Sequence, residues 1–293
     1  MPIRTEVLDI ARVEYGPSSA PPVLLLHGWP DAARGWRQVA SELAKAGWRP
    51  IVPDNRGTGA TAFRSPTTPR DGSAPALAQD VLDLADGLGL ERFAVVGHDW
   101  GARVAYTLAT VAPERITAIA ALALAYQPRG QFVMPDFGQA RRFWYQWLMY
   151  LDAGVAAIRR DPVGFAREQW DTWSPPGWFD EAEFAATAAA FGNPDWIAIT
   201  LNAYRSRFRA DEPRDDRYSG LRSRIARTEH IGVPTLMIQG GADYCVEPAG
   251  SAGLDGYFDT YRRVVLDGVG HFPHREAPTQ VTALIADHLA KYR

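Results

Sequence analysis

The stretch that decides the fold is VVGHDWGARVAY, Val95 to Tyr106, in which an apolar run changes to a helical pattern at an aspartate. Gly97 and Gly101 lie two residues before and two residues after Asp99. Glycine at both places indicates a strand that turns sharply into a helix, because the packed backbone there leaves no room for a Cβ atom. Such a turn presents its central side chain at the end of the strand. The sequence therefore predicts a reactive carboxylate at Asp99.

Apolar runs and helical patterns alternate on both sides of this turn. Runs that are apolar nearly throughout are typical of parallel strands buried on both faces of a sheet. We interpret four such runs as strands, at residues 23–28, 49–54, 93–98 and 116–125. The pattern predicts an α/β fold whose central sheet is mostly parallel and flanked by helices.

The alternation is interrupted by residues 127–228, which are rich in aromatic residues, arginine and Pro/Gly breaks and contain no convincing strand. Strand patterns return at residues 234–243 and 262–272. An independent module is the other interpretation of the middle segment, but a sheet that resumes behind it favours an insertion. We predict a core domain formed by residues 1–126 and 229–293, with residues 127–228 as an inserted helical lid.

The composition indicates an ordinary globular protein. The chain has 293 residues, 46% of them hydrophobic, and its net charge of −3 comes from interspersed acids and bases. This balance argues against a nucleic-acid or polybasic membrane partner and favours a small-molecule substrate. We expect a cytoplasmic protein for three reasons. Cys245 is the only cysteine, the N-terminus has no signal-peptide pattern, and no apolar run reaches about 18 residues. The oligomeric state stays open, a homodimer included.

Two further candidate residues follow predicted strands. Asp243 lies at the end of the run at 234–243, and His271 lies near the end of the run at 262–272. Open α/β sheets place their sites at the carboxyl ends of strands. The order Asp99, Asp243, His271 is the order of nucleophile, acid and histidine in the α/β-hydrolase fold. The other common position of the acid, after residues 116–125, holds no acidic residue. Asp243 is therefore the candidate.

Five motifs together carry a resemblance to one family. They are HGWP at 27–30, GHDWGA at 97–102, WYQWLM at 144–149, LNAYRS at 201–206 and GVGHF at 268–272. In this order they resemble the oxyanion motif, the nucleophile turn, two lid-tyrosine motifs and the histidine loop of the α/β-hydrolase-fold epoxide hydrolases. The resemblance covers nearly the whole chain.

The resemblance implies an epoxide hydrolase that forms a covalent intermediate. A carboxylate can attack the saturated carbon of an epoxide and give an alkyl ester, so Asp99 would be the nucleophile. His271, oriented by Asp243, would then activate a water that attacks the carbonyl carbon of the ester. A vicinal diol would leave, and this chemistry requires no cofactor.

The resemblance also implies two groups that stabilise charge. Tyr145 and Tyr204 would hold the epoxide oxygen, and a phenol with an ordinary pKa near 10 stays protonated at neutral pH and can donate to that oxygen. The backbone N–H groups of Trp29 and Trp100 would form the oxyanion hole for hydrolysis of the ester.

Several other conspicuous residues have a simpler interpretation. His271 and His274 have HxxH spacing, but no further cysteine or histidine cluster accompanies them, so we expect no metal site. His98 is next to the nucleophile and is interpreted as structural. Asp54 and Arg56 lie in a glycine-rich turn after a strand, where we expect them to brace the loop.

Two alternative functions remain at this stage. A haloalkane or haloacid dehalogenase uses the same aspartate, but an expelled halide requires N–H donors rather than two phenols. A haloacetate enzyme would also carry arginine directly after the nucleophile, where this chain has Trp100, and a second one at Arg103, which is present. The other alternative, a non-catalytic binding protein with this fold, is disfavoured by the complete set of candidate residues.

Overall fold

The structure is a computed structural model that describes residues 1–209 and 211–293. Its described residues form ten strands and twelve α-helices, together with short 3₁₀ turns. The strands are β1 (Ile3–Arg4), β2 (Leu8–Ile10), β3 (Arg12–Glu14), β4 (Pro22–Leu26), β5 (Arg49–Pro53), β6 (Ala62–Phe63), β7 (Phe93–His98), β8 (Ile116–Leu122), β9 (Thr235–Gly240) and β10 (Tyr261–Leu266).

The helices lie mostly between and after the strands of the sheet. They are α1 (Arg37–Lys45), α2 (Ala74–Gly87), α3 (Trp100–Val111), α4 (Phe137–Arg142), α5 (Trp144–Leu148), α6 (Asp152–Arg160), α7 (Pro162–Thr172), α8 (Glu181–Ala188), α9 (Trp196–Arg205), α10 (Ser219–Arg227), α11 (Pro273–Glu276) and α12 (Pro278–Ala290). None of the helices in the described ranges has both the length and the apolar character needed to cross a lipid bilayer.

Seven strands form the central sheet in the order β10-β9-β8-β7-β4-β5-β3. All neighbouring pairs are parallel except β3 and β5, which are antiparallel. Strand β7 lies in the middle and is buried at every residue. The predicted fold class, a mostly parallel sheet flanked by helices, is confirmed.

Alternation of side chains along each strand divides the interior into two cores. In β4, Val23 and Leu25 face the core covered by α1 and α12, whereas Leu24 and Leu26 face the core covered by α2 and α3. All four side chains are buried. Because full burial of one such side chain contributes about 1.5–3 kcal/mol, the central strands are stabilised from both faces.

Several details differ from the sequence-based expectation. The patterns at 234–243 and 262–272 extend beyond their strands, which end at Gly240 and Leu266. The strand predicted for residues 116–125 ends at Leu122, because Ala123 has a φ of 68° and takes the chain out of the extended conformation. A small antiparallel sheet of β1, β2 and β6 was not predicted. Its strands have two or three residues each, too few for a side-chain period to be recognised.

Between β8 and β9, the described residues of 127–228 form helices and turns but no strand. Side chains bind this helical segment to the loops at the sheet edge. Trp29 Nε1 donates to Thr200 Oγ1 at 3.0 Å, and Trp170 Nε1 donates to the carbonyl oxygen of Pro30 at 2.8 Å. The division into a core of residues 1–126 and 229–293 and a lid of residues 127–228 stays a prediction.

A buried ion pair fixes the loop after β5, as expected for a bracing Arg56. The Arg56 guanidinium donates to both carboxylate oxygens of Asp80, at 2.6 and 2.7 Å. It also donates to the carbonyl oxygen of Asp71 at 2.7 Å and to the hydroxyl of Tyr218 at 3.0 Å. The pair therefore connects the loop to α2 and to the end of the helical segment.

We expect Arg56→Met to lower the free energy of unfolding by about 3–5 kcal/mol, because it leaves the Asp80 carboxylate buried without its partner. Urea unfolding at neutral pH measures the change. The control is Lys45→Met, which breaks the exposed pair between Lys45 and Glu42 and should cost less than about 1 kcal/mol. Equal effects of the two substitutions would contradict the expectation.

Candidate active site

Asp99 lies in the strand-to-helix turn that the glycine pattern predicts. Its φ and ψ of 51° and −112° are rare for a residue with a side chain and indicate local backbone strain. A Cβ atom on Gly97 would overlap the backbone oxygen of Gly101, and one on Gly101 would overlap that of Leu26. The glycines thus permit a close approach of backbone segments that holds Asp99 at the end of β7.

The loop after β4 packs directly against the nucleophile candidate. The backbone N–H of Trp29 donates to Oδ1 of Asp99 at 2.9 Å, and a Cβ on Gly28 would overlap the Cβ of Asp99. Trp100 is the first residue of α3, so its N–H is one of the helix-terminal donors that have no intrahelical acceptor. Both predicted oxyanion-hole residues therefore adjoin Asp99, and the positive end of α3 favours negative charge there.

Asp243 and His271 form a buried hydrogen-bonded pair beside neighbouring strands β9 and β10. Nδ1 of His271 lies 2.9 Å from Oδ2 of Asp243. Oδ1 of Asp243 accepts from the backbone N–H groups of Cys245 and Val246, both at 2.8 Å, and Gln239 Nε2 donates to Oδ2 at 3.1 Å. Because the carboxylate is held by four donors, the imidazole that it binds is fixed in orientation.

The other ring nitrogen of His271 faces Asp99. Nε2 lies 3.7 Å from Oδ2 of Asp99, which is an ion-pair distance but too long for a hydrogen bond, and it has no hydrogen-bond partner among the described residues. Burial alone would lower the pKa of His271, but the carboxylates of Asp243 and then Asp99 outweigh it and raise this pKa to about 10. The two negative charges thus hold the imidazole in its protonated form.

The backbone around His271 is fixed by residues that the sequence reasoning missed. Ser174 Oγ accepts from the N–H of His271 at 2.8 Å and donates to Glu276 at 2.7 Å. Glu276 also accepts from the N–H of Gly270 at 2.6 Å. His98 Nε2 donates to the carbonyl oxygen of His271 at 2.7 Å, so it contacts the histidine loop and not the cavity. No motif marks Ser174 or Glu276.

Tyr145 of α5 and Tyr204 of α9 meet above the nucleophile candidate. Their rings are 5.5 Å apart edge to face, and both contact the indole of Trp29. Together with Asp99 they line a cavity of about 200 Å³, which we call the Asp99 cavity. Burial is the main cause that raises the pKa of both hydroxyls well above 10, so both phenols carry their protons across the neutral range.

Neighbouring side chains orient the first phenol. Gln146 Nε2 donates to the hydroxyl oxygen of Tyr145 at 3.0 Å, which leaves the phenol proton free to point elsewhere. The ring of Trp173 lies 5.0 Å from that of Tyr145 and 4.8 Å from that of His271. Cys245 lies 3.7 Å from the same hydroxyl, and burial raises the pKa of its thiol well above the ordinary value. Gln146 had no assigned role in the sequence analysis.

Asp31, His98 and His274 form a buried group whose ligand atoms lie within 4.8 Å of one another. Asp31 already accepts from His274 Nε2 at 3.0 Å and is bound by the guanidinium of Arg275. Although burial opposes it, Arg275 and His274 hold the pKa of Asp31 far below its ordinary range. Because the guanidinium of Arg275 already binds the Asp31 carboxylate, this group fits an ion-pair network rather than a binding site for a metal cation. The prediction that the chain binds no metal stays a prediction.

Comparison with known proteins agrees with this architecture. A family model for the alpha/beta hydrolase fold matches residues 21–278. The chain therefore belongs to the α/β-hydrolase fold family, within its epoxide hydrolase branch.

Three relatives represent that branch. Epoxide hydrolase A of Mycobacterium tuberculosis is 29% identical over 315 aligned residues, which cover 98% of this chain and 96% of the relative. A solved Klebsiella pneumoniae structure, provisionally assigned as an epoxide hydrolase, is 36% identical with a TM-score of 0.92 and coverage of 98% and 96%. Epoxide hydrolase A of Mycobacterium thermoresistibile is 26% identical with a TM-score of 0.82 and coverage of 100% and 98%.

The raised pKa of His271 makes the stability contribution of this residue dependent on pH. A group with a raised folded-state pKa stabilises fully below its ordinary pKa, here 6.5, and loses that contribution as the pH rises toward 10. We expect the stability advantage of wild type over His271→Gln to shrink by about 3 kcal/mol between pH 6 and pH 9. Urea unfolding of both proteins at the two pH values measures it.

The control for this expectation is His230→Gln, which removes an exposed histidine paired with Asp259. Its difference from wild type should change by less than about 1 kcal/mol over the same range. An advantage of His271 that is constant or larger at pH 9 would contradict the ion-pair interpretation.

Proposed function

We propose that the chain hydrolyses epoxides to vicinal diols through a covalent alkyl ester on Asp99. The observation that carries the proposal is the convergence of one carboxylate and two phenols, those of Tyr145 and Tyr204, on the same cavity. A carboxylate and a pair of neutral O–H donors are what ring opening of an epoxide requires. The names of the relatives support the same activity.

In the first step, Oδ2 of Asp99 attacks a ring carbon. Oδ1 is held by the Trp29 N–H, so Oδ2 is the oxygen available for the new bond. The C–O bond of the ring breaks, and the oxygen that leaves the carbon takes a proton from Tyr145 or Tyr204. Since the phenols lie on the helical segment and the carboxylate lies on the sheet, the donors act on the side opposite the nucleophile, as an in-line displacement requires.

Formation of the ester changes the protonation of His271. Alkylation removes the negative charge of Asp99, which is one of the two charges that raise the pKa of His271. Burial then lowers this pKa with less opposition, so His271 can lose its proton and act as a base. The proton passes through water to the phenolate left by ring opening, which restores the neutral phenol. The nucleophile thus controls the base: the imidazole is charged while Asp99 is free and becomes basic once the ester has formed.

In the second step, neutral His271 takes a proton from water, and the hydroxide attacks the carbonyl carbon of the ester. The charge that develops on Oδ1 is stabilised by the backbone N–H groups of Trp29 and Trp100, and one such donor typically contributes about 3 kcal/mol. Collapse of the intermediate breaks the ester bond. The departing alkoxide takes the proton from His271, and the new carboxylic acid of Asp99 passes its own proton to His271. The diol is then released, with Asp99 again a carboxylate and His271 again protonated.

In this scheme residues 127–228 serve as a lid. The segment supplies both phenols, while residues 1–126 and 229–293 supply the nucleophile, the oxyanion hole and the histidine pair. The dehalogenase alternative is not favoured, because the relatives are epoxide hydrolases and the donors above Asp99 are phenols.

The first test is to trap the ester with His271→Gln. Alkylation requires only Asp99 and the phenols, whereas hydrolysis of the ester requires His271. We expect the intact mass of the variant to rise by the mass of one styrene oxide, with the modification on the peptide that contains Asp99. Wild type should release phenylethanediol and keep its mass.

Asp99→Asn combined with His271→Gln is the matched control and should remain unmodified. Diol formation by wild type together with an unmodified His271→Gln single variant would exclude the ester mechanism.

The second test is removal of each phenol. Tyr145→Phe and Tyr204→Phe should each slow the alkylation step by about 10²-fold, because the developing alkoxide loses one of its proton donors. Single-turnover kinetics with styrene oxide measures this step. Tyr261→Phe is the control, since Tyr261 lies in β10 and its hydroxyl bonds only Ser251 among the described residues. A change smaller than about threefold would remove that tyrosine from the mechanism.

A further inference from the structure

A second cavity of about 460 Å³ adjoins the Asp99 cavity. We call it the arginine cavity, because its walls contain the five arginines Arg103, Arg129, Arg207, Arg214 and Arg222. No Asp or Glu is among the described residues that line it. Its lining thus carries a concentrated positive charge in a protein whose net charge is −3.

Two of these arginines are neutralised by acids just outside the cavity. Arg129 forms a salt bridge with Glu229, and a guanidinium nitrogen of Arg222 lies 3.7 Å from Oδ2 of Asp71. The other three, Arg103, Arg207 and Arg214, form no salt bridge within the described part of the chain. Three guanidinium charges at this site therefore form no ion pair with a carboxylate among residues 1–209 and 211–293.

Arg103 and Arg207 line both cavities and so stand where the two meet. Arg103 lies one helical turn after Asp99, and its N–H donates to the carbonyl oxygen of Asp99 at 3.1 Å. Arg207 follows Tyr204 by three residues. Arg103 thus lies in α3, which begins directly after Asp99, and Arg207 lies just beyond the end of α9, which carries Tyr204.

Arg207 is held at this position by weak contacts. Its guanidinium lies over the ring of Phe132 at 4.8 Å, and a nitrogen lies 3.4 Å from Oε1 of Gln146. Burial and then repulsion from Arg103 lower the pKa of Arg207 to about 9, so it still carries its charge at neutral pH. An anion that binds between the two guanidiniums would reduce the repulsion between their like charges.

We propose that the substrate is an epoxide that also carries a carboxylate, which Arg103 and Arg207 bind while the epoxide lies at Asp99. This inference rests on the proposed function and adds the substrate class. The planar fork of a guanidinium matches the two oxygens of a carboxylate, and such charge-assisted hydrogen bonds are strong where water is largely excluded.

The position of the arginines also limits the length of the substrate. Arg103 and Arg207 line the same cavity of about 200 Å³ that Asp99 lines. The carboxylate and the epoxide of the substrate are therefore separated by only a few bonds. We infer a short-chain epoxy acid rather than a long-chain one.

The test compares two probes of nearly equal size. We expect wild type to hydrolyse 5,6-epoxyhexanoate with a kcat/KM about 10- to 100-fold above that of 5,6-epoxyhexanamide, since the amide lacks only the charge. The difference should lie mainly in KM, because the carboxylate contacts are made before and during the reaction alike. Styrene oxide, which has no anionic group, reports separately on the proposed function.

The decisive variants are Arg207→Gln and Arg103→Gln. Each should lower kcat/KM for the acid about 10-fold more than kcat/KM for the amide, and a urea unfolding midpoint close to that of wild type shows that the variant is folded. Arg207→Lys should restore part of the preference. Arg209→Gln is the matched control, because Arg209 lies two residues further on and is paired with Asp211. It should keep the wild-type preference.

The outcomes separate the two proposals. Hydrolysis of styrene oxide or of the amide with no preference for the acid would overturn the carboxylate site and leave the epoxide hydrolase proposal intact. A preference that survives both Arg→Gln variants would likewise overturn the assignment to Arg103 and Arg207. No hydrolysis of any of the three epoxides by wild type would overturn both proposals.

Discussion

The tight turn at Asp99 is the constraint on which the rest of the site depends. A residue with a side chain takes up a φ of 51° there, and it does so because the backbone on three sides is packed too closely for any alternative. Gly97, Gly101 and Gly28 provide this packing. It sets the carboxylate at the centre of the sheet, above β7, where the loops after β4, β9 and β10 reach it. The geometry of every other group in the site is defined relative to this one side chain.

Electrostatics links the members of the site to one another. Asp243 is held in position by four donors and forms no covalent bond in the proposed reaction, whereas Asp99 loses its negative charge when the ester forms. The pKa of His271 depends on both carboxylates. Burial of all three groups strengthens this coupling, because little solvent is present to screen it.

The sequence predicted the parallel sheet and the turn at Asp99, because buried parallel strands have a strong apolar signal and that turn requires glycine. It placed several strand ends too late, since loops after β8, β9 and β10 are also apolar or rich in glycine. It did not predict Ser174, Glu276 or Arg207. Ser174 binds both His271, 97 residues away, and Glu276, and Arg207 contacts Gln146 from 61 residues away. No periodicity encodes such contacts. The tyrosine pair was assigned through family resemblance, since only the folded helices bring Tyr145 and Tyr204 together. The structure places them together, but their roles await the kinetic tests.

Trp29 contacts both the nucleophile candidate Asp99 and the helical segment above it. Its backbone N–H binds Asp99, its ring contacts both phenols, and its indole N–H binds Thr200 of α9. Because Thr200 and Tyr204 both belong to α9, this single tryptophan couples the placement of one phenol to the loop whose N–H binds Asp99. A substitution of Trp29 would therefore disturb the carboxylate and the phenol together, although they lie on different parts of the chain.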